Sequence, residues 1–501
     1  MPSTSSVWQS VGDAAAFHSA IPASADVCVI GAGIAGMSVA YSLARLGKRV
    51  VVLEARGVGA GMTSVTTAHL ASVLDDRYYR LIEVRGEETA RRGVQAHAAA
   101  IDFIEENAAR EGIDCGFKRL DGYLVAASEK DHDELDRELE AARTLGVSVE
   151  PRQVAPAFGG GQCLRFPRQG RFEPMAYLQG LARAVVKLGG TIVTNARAEA
   201  VEDGSPCKVT VRGGELRANA VVVATNSPFN DRFAIHTKQY PYMTYVVGLR
   251  ANLAAVPDAL VWDTIDPYHY VRQAGKPDAA GFDTLIVGGE DHKTGHADDG
   301  DERFAKLEEW ARKTFPQAGE VTHRWAGQVL ETGDGLGFIG RNPGDTNVYV
   351  VTGDSGMGMT HGSIAGILIP RLIASGSHPW EAVFAPGRTP VRTAGEFLQE
   401  NADVALQYAA WLSGGDVKSA DEIEPGCGAV IRSGLSKLAV YRDDSGKLHA
   451  CSAKCPHLGA VVQWNDAEKT WDCPAHGSRF DSRGKVIQGP ANAPLERTEL
   501  K

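Results

Sequence analysis

The sequence predicts an α/β domain with a Rossmann-like beginning, an α+β domain interleaved with it, and a small all-β module at the C-terminal end. Three observations predict this. The stretch "DVCVIGAGIAGMSVAYSLARLGKRVVVLE" (26–54) reads as strand, glycine turn, helix and second strand. Three runs between 241 and 292 are rich in aromatic and β-branched residues, and after about residue 425 short strands alternate with turns.

Composition narrows the partners. At 501 residues, with 44% hydrophobic and 23% charged residues, the chain is long enough for two to four domains with large cores. Its 52 basic and 62 acidic residues leave a net charge of -10, and no Lys/Arg cluster follows a phosphate backbone, which excludes nucleic acid as a partner. The opening "MPSTSSVWQSVGDAAAFHSAIP" lacks a basic n-region and a sustained apolar core, so it does not read as a secretory signal. Eight scattered Cys do not form a disulfide framework, and the expected compartment is the cytoplasm.

After an N-terminal extension (1–24) comes an uncharged run of eighteen residues, Val27 to Ala44, long enough to suggest a membrane span. The glycines inside it give the better reading, and no span is expected. Gly31 makes the tight turn, Gly33 lets a pyrophosphate approach the backbone, and Gly36 lets helix pack on strand. The pyrophosphate would rest on the helix N-terminus, where free N–H groups and the dipole favour negative charge. Glu54, closing the second strand, is placed to accept ribose hydroxyls.

Four further blocks carry a resemblance. "ARGVGAGMTSVTTAHL" follows Glu54, "GGTIVTNARAEAVED" spans 189–203, "ANAVVVATN" spans 218–226, and "WAGQVLETGDGLGFIGRNPGDTNVYVVTGDSGMGMTHGSIAG" spans 325–366. In this order, over residues 25–385, they resemble the D-amino-acid oxidase and sarcosine oxidase (DAO) family of FAD-dependent oxidoreductases. The resemblance implies FAD as cofactor. It places Ala55, Arg56, Gly61, Thr66 and Thr67 in the second flavin-contacting segment, Ala198 beside the adenine, and Ala224 on the strand returning to the nucleotide. Gly353, Gly356, Gly358, Met359 and Thr360 fall in the closing signature, beside the flavin ring and ribityl chain. Relatives that oxidise amino acids carry an Arg in a G-x-R-P stretch; here Val329 stands at that place. An amine whose carboxylate is absent, or is held by Arg272, is therefore the expected substrate. His69 lies near a position where some relatives attach flavin, but FAD is expected without a covalent link.

The runs "PYMTYVVGL" (241–249), "DPYHYVRQ" (266–273) and "DTLIVGGEDH" (283–292) read as strands of a substrate domain. A period of two puts Tyr268, Tyr270 and Arg272 on one face and His269 and Val271 on the other. In the family such a sheet roofs the flavin, so one of these faces would line the pocket; the catalytic candidates are Tyr270 or His269, to orient the amine or take its proton, and Arg272, to hold a carboxylate. His292, Lys293 and His296 read as pocket rim or surface, because the glycines argue against the helix a metal pair would need.

A Pro-rich turn and an amphipathic helix (386–424) connect to the last module (425–501). Its loops "CPHLG" and "CPAHGS" each supply one Cys and one His. Zinc usually takes C-x-x-C with a separate His pair; the mixed pairing suits a cluster in which one iron takes two thiolates and the other two imidazoles. The module resembles a Rieske [2Fe-2S] domain, which implies Cys455 and Cys473 on the inner iron and His457 and His476 on the outer one, with "GPA" (489–491) as the shielding proline loop. Ala460 and Ala475 stand where high-potential relatives place a disulfide, and Phe480 stands where they place a Tyr two residues after Ser478.

The expected organisation is FAD-binding parts near 25–85, 150–235 and 325–385, with the substrate domain near 86–149 and 236–324. The expected activity is oxidation of a small amine or amino-acid-like substrate at a C–N bond. Electrons would pass from FAD to the cluster and on to a one-electron acceptor, a ferredoxin-like protein or a quinone. Two alternatives stand beside it: an oxygen-using amine oxidase with a structural Rieske domain, and an electron-transfer component relaying electrons for a partner.

Overall fold

The computed structural model describes residues 4–9, 17, 20–152, 154, 161–230, 235–252, 256–389, 404 and 407–500. Most of the connecting helix expected over 386–424 lies outside the described residues. Among the described residues no helix is long and apolar enough to cross a membrane. Val27 to Ala44 instead divides into strand Ser24–Ile30, a turn, and helix Ile34–Arg45.

The first sheet runs Phe338–Arg341, Val348–Thr352, Gly214–Val223, Ser24–Ile30, Val50–Leu53, Thr191–Val193. Its inner pairs are parallel. Parallel strands need crossovers and are covered on both faces, which explains the almost unbroken apolar runs "VCVI" and "VVVL". Helices Ile34–Arg45 and Gly358–Ser375 pack together against this sheet. The turn between strand and helix depends on missing side chains: Gly31 sits at φ +103°, and a Cβ on Gly36 would stand 1.9 Å from the Gly31 carbonyl oxygen.

The second sheet runs Val321–Thr332, Gln239–Asn252, Phe282–Lys293, Tyr270–Gln273, Leu260–Asp263, Lys118–Val125, Cys163–Arg171, His69–Leu70. The three runs read as strands between 241 and 292 are its neighbouring centre strands, although the one over 266–273 is regular only over Tyr270–Gln273. His69–Leu70, Glu150–Arg152 and Cys163–Arg171 lie in this sheet, within segments that the sequence reading placed in the FAD-binding parts. Helix Gly300–Thr314 buries Phe304 and Leu307 against Tyr245 and Val287 on one face of the sheet. The opposite face turns toward the first sheet, and that gap holds the site.

The C-terminal module is all-β. Strands Gly428–Ser433, Ser436–Arg442 and Leu448–Ser452 form one sheet, and Gln463–Asn465, Thr470–Asp472, Arg479–Asp481 and Val486–Gln488 form a second. Trp464, Trp471 and Phe480 fill the core between them, together with both loop cysteines.

Candidate functional site

A continuous cavity lies between the two large sheets. At one end Gly31, Gly33, Ile34 and Ala35 bring the helix N-terminus to its wall, where the dipole and free N–H groups suit phosphate. Glu54 is at the same end. Its two carboxylate oxygens accept from the Ala32 and Arg56 N–H groups, each at 2.8 Å, and so brace the turn while the residue lines the cavity. Ala55, Arg56, Gly61, Thr66, Thr67, Ala198 and Ala224 line it as expected. So do Gly353, Gly356, Gly358 and Met359. A Cβ on Gly356 (φ +72°) would stand 2.0 Å from Asp75 Oδ2, so nothing larger than glycine fits between that carboxylate and the turn.

Four expected residues are not on the cavity wall. Gly36 acts in helix packing. Thr360 is buried with its hydroxyl against His97 Nδ1 (2.8 Å) and the Met357 carbonyl (3.1 Å). Arg272 requires a correction: it is 1% exposed and donates to the backbone carbonyls of Gln273 (2.9 Å), Ala274 (3.1 Å) and Phe172 (3.3 Å), with its guanidinium over the Trp8 ring. Its donors are spent on backbone, so it does not hold a substrate carboxylate. His269 requires another. It points through the opposite face of the sheet, stacked on Trp310 with centroids 4.2 Å apart, its Nδ1 3.0 Å from Asp263.

Tyr270 does reach the cavity, with Tyr268 beside it at 5.4 Å between ring centroids. The Tyr270 hydroxyl is 2.8 Å from Thr244 Oγ1, and the Tyr268 hydroxyl donates to Asp75 Oδ2 at 3.1 Å. Asp291 joins this group, and its Oδ1 is buried without a hydrogen-bond partner. Burial pushes both Asp75 and Asp291 up to about 7. His69 lies edge-on to Tyr270 at 5.2 Å; burial, with Arg272 nearby, pushes it down to about 3 and keeps it neutral. Asp75, Asp291 and Thr244 had no motif to announce them, Glu331 stands in the closing signature block without being singled out by it, and strand parity pointed only to Tyr268.

The metal centre is built on two tight loops. The Gly459 N–H closes on the Cys455 carbonyl and the Gly477 N–H on the Cys473 carbonyl, each at 2.9 Å. The two buried sulfurs face each other. Cys455 Sγ also accepts from the His457 and Leu458 N–H groups and the Ser478 hydroxyl, and Cys473 Sγ from those of Ala475 and His476. The hydrogen bond from Cys473 is the largest cause that pulls Cys455 below the ordinary thiol range. The rings of His457 and His476 stand perpendicular, 5.0 Å apart, and His476 Nδ1 is buried with no hydrogen-bond partner. Burial, then His236, pushes His476 down to about 4, leaving the neutral imidazole a metal needs. Among the described residues no three His, Cys, Asp or Glu side chains converge on one ion. Two sulfurs and two imidazoles split into pairs therefore fit a two-iron cluster better than a single tetrahedral zinc. None of the eight Cys is in a disulfide.

The module docks against the cavity. The His236 ring is 4.9 Å from His457 and 6.1 Å from His476. Gln328, beside Val329 on the cavity wall, donates to the Gly477 carbonyl at 2.9 Å.

Comparison with known proteins agrees with this construction. The family model "FAD dependent oxidoreductase" (DAO) matches residues 26–372, and "Rieske [2Fe-2S] domain" matches 415–499. A Bacillus subtilis (strain 168) protein named for a Rieske 2Fe-2S centre, YhfW, is 31% identical over 481 residues, covering 95% of this chain and 93% of that one. A gamma-glutamylputrescine oxidoreductase of Escherichia coli (strain K12) is 28% identical, covering 71% and 85%. Glycine oxidase from Geobacillus kaustophilus shares the fold, with TM-score 0.61 at 20% identity over 73% of this chain and 99% of that one. The chain belongs to the DAO family of FAD-dependent oxidoreductases and carries a Rieske [2Fe-2S] domain after its flavin domain.

Proposed function

We propose that the protein dehydrogenates a small amine at a C–N bond and delivers the electrons, through its Rieske module, to a one-electron acceptor such as a ferredoxin-like protein or a quinone. Bound FAD supplies hydride acceptance and the [2Fe-2S] cluster supplies single-electron carriage. The observation that carries the substrate reading is the charge of the cavity. Among the described residues its two arginines, Arg56 and Arg197, cluster with Glu54 at the nucleotide end. The other end presents Asp75, Asp291 and Glu331 with Tyr268 and Tyr270, and Val329 in place of a carboxylate-gripping Arg. Such a wall suits an ammonium group and repels a carboxylate.

A buried carboxylate near 7 is also matched to accept the ammonium proton, leaving the neutral amine that oxidation needs. Asp291 Oδ1, free of partners, is the atom we assign to it. Tyr270 and Tyr268 would orient the amine. The likeness to a gamma-glutamylputrescine oxidoreductase supports an amine substrate. The contacts of Gln328 and His236 with the cluster loops support an electron exit through the module. Six free thiols and two cluster ligands, none in a disulfide, suit a reducing compartment, the cytoplasm.

Anaerobic mixing with a panel of amines and amino acids tests this. The expected result is flavin bleaching by an amine followed by the EPR signal of the reduced cluster. Bleaching only by a reduced carrier protein would favour the relay, and unchanged oxygen-dependent turnover in Cys473→Ser would favour the oxidase with a structural module.

A further inference from the structure

We infer that the Rieske module completes the FAD site: its residues 487–492 form a fixed strap over the cofactor, and the Gln488 side chain binds it. Ile487, Gln488, Gly489, Ala491 and Asn492 line the same cavity as the glycine turn. The strap is pinned at both ends. Asn492 Nδ2 donates to the Ala198 and Glu199 carbonyls, each at 3.0 Å, and Arg197 donates to Asn492 Oδ1 at 3.4 Å. At the other end Gln488 Nε2 donates to Gln328 Oε1.

The orientation of that amide pair follows from the network. Gln328 Nε2 donates to the Gly477 carbonyl, which can only accept, so its Oε1 must face Gln488. Gln488 must then present its NH₂ group, which leaves Gln488 Oε1 as an acceptor. That oxygen is buried with no partner in a residue 7% exposed. Across the cavity wall Ser227 Oγ and Asn226 Nδ2 are also buried without partners, and the Ser227 carbonyl lies 3.3 Å from where a Gly489 Cβ would be. An orphaned acceptor in such a place costs stability unless a ligand supplies the donor, and FAD carries hydroxyl and N–H donors. The module is thus a wall of the flavin site rather than a tethered shuttle that visits it.

The test is FAD retention in the full-length holoprotein. Gln488→Leu combined with Asn492→Ala should weaken FAD binding about tenfold or more by fluorescence titration, with iron content and the cluster EPR signal intact. Lys485→Ala, exposed on the same module, is the control and should leave the affinity unchanged. Coupling is reciprocal, so FAD should also raise the temperature at which the cluster's visible absorbance bleaches in the wild-type protein. An affinity within twofold of wild type in the double variant would overturn the inference. If that variant loses its cluster, a wild-type bleaching temperature that ignores FAD would overturn it instead.

Discussion

Removing one hydroxyl, with Ser478→Ala, should lower the reduction potential of the cluster. Ser478 is fully buried and its oxygen accepts from the Ala491 N–H at 3.0 Å, which polarises the hydroxyl and leaves its hydrogen for Cys455 Sγ. A donor to a ligand sulfur favours the reduced state, because that state carries the extra negative charge. A hydrogen bond to a charged acceptor is worth about 1.5–3 kcal/mol, and if about a third of it strengthens on reduction the difference is roughly 0.5–1 kcal/mol. For a one-electron couple, where 59 mV is tenfold, this is a fall of about 20–40 mV. Phe480, fully buried in the same core as both cysteines, is the converse position: Phe480→Tyr adds a donor and should raise the potential. Anaerobic titration followed by EPR reads both. A potential unmoved by Ser478→Ala, with iron content unchanged, would mean that the hydroxyl does not reach the sulfur and that the loop assignment is wrong.

Three other outcomes follow from the site and its frame. A small quaternary ammonium ion cannot titrate, so its affinity should rise with pH from 6 to 8 as Asp75 and Asp291 lose the protons that burial retains near 7; Asp291→Asn should flatten the profile by calorimetry. Asp334→Asn should cost about 3–5 kcal/mol, seen as a lower melting temperature of the flavin domain, because it strips a carboxylate with no exposed surface from Arg388 (2.9 Å) and Arg85. Burial alone would raise that carboxyl, but the two arginines hold it below its ordinary range, so the stabilisation is present at neutral pH and is lost as pH falls through that depressed value. Arg272→Lys should lose about 2 kcal/mol or more of stability, since one ammonium cannot serve carbonyls spread as Gln273, Ala274 and Phe172 are, and should leave the KM for an amine unchanged.

The parts legible in the sequence are those set by local spacing. Gly31, Gly33, Gly36 and Glu54 belong to one strand-turn-helix-strand unit, and each metal loop carries its Cys and His within four residues. Strand parity identified the face shared by Tyr268, Tyr270 and Arg272 but not how far along the strand the cavity extends. Two residues past Tyr270 the same face has passed beneath Trp8 and the Phe172 carbonyl, so parity alone puts Arg272 in a cavity it does not reach. His269 lies on the other face, which packs on Trp310 of the helix behind the sheet, and the alternation of the strand does not say which face meets the flavin. Asp75 and Asp291 meet only because segments more than two hundred positions apart fold onto one cavity. Gln488 reaches it from a different module, so no periodicity or motif could mark any of the three.

The His236 contact has a consequence for traffic at the protein surface. Both histidine rings of the cluster loops turn inward, toward His236 and the flavin domain, while Pro456 between Cys455 and His457 is exposed. On the outer side Tyr408 and Trp411 hold the Leu458 and Gly459 carbonyls at 3.1 and 2.9 Å. Pro456 is therefore what this loop presents to the outside, while both ring nitrogens of His457 are buried. Under the proposed electron path the two sides of the cluster would serve as separate terminals of one component, and surface changes around Pro456 would retune the outer connection without disturbing the inner one.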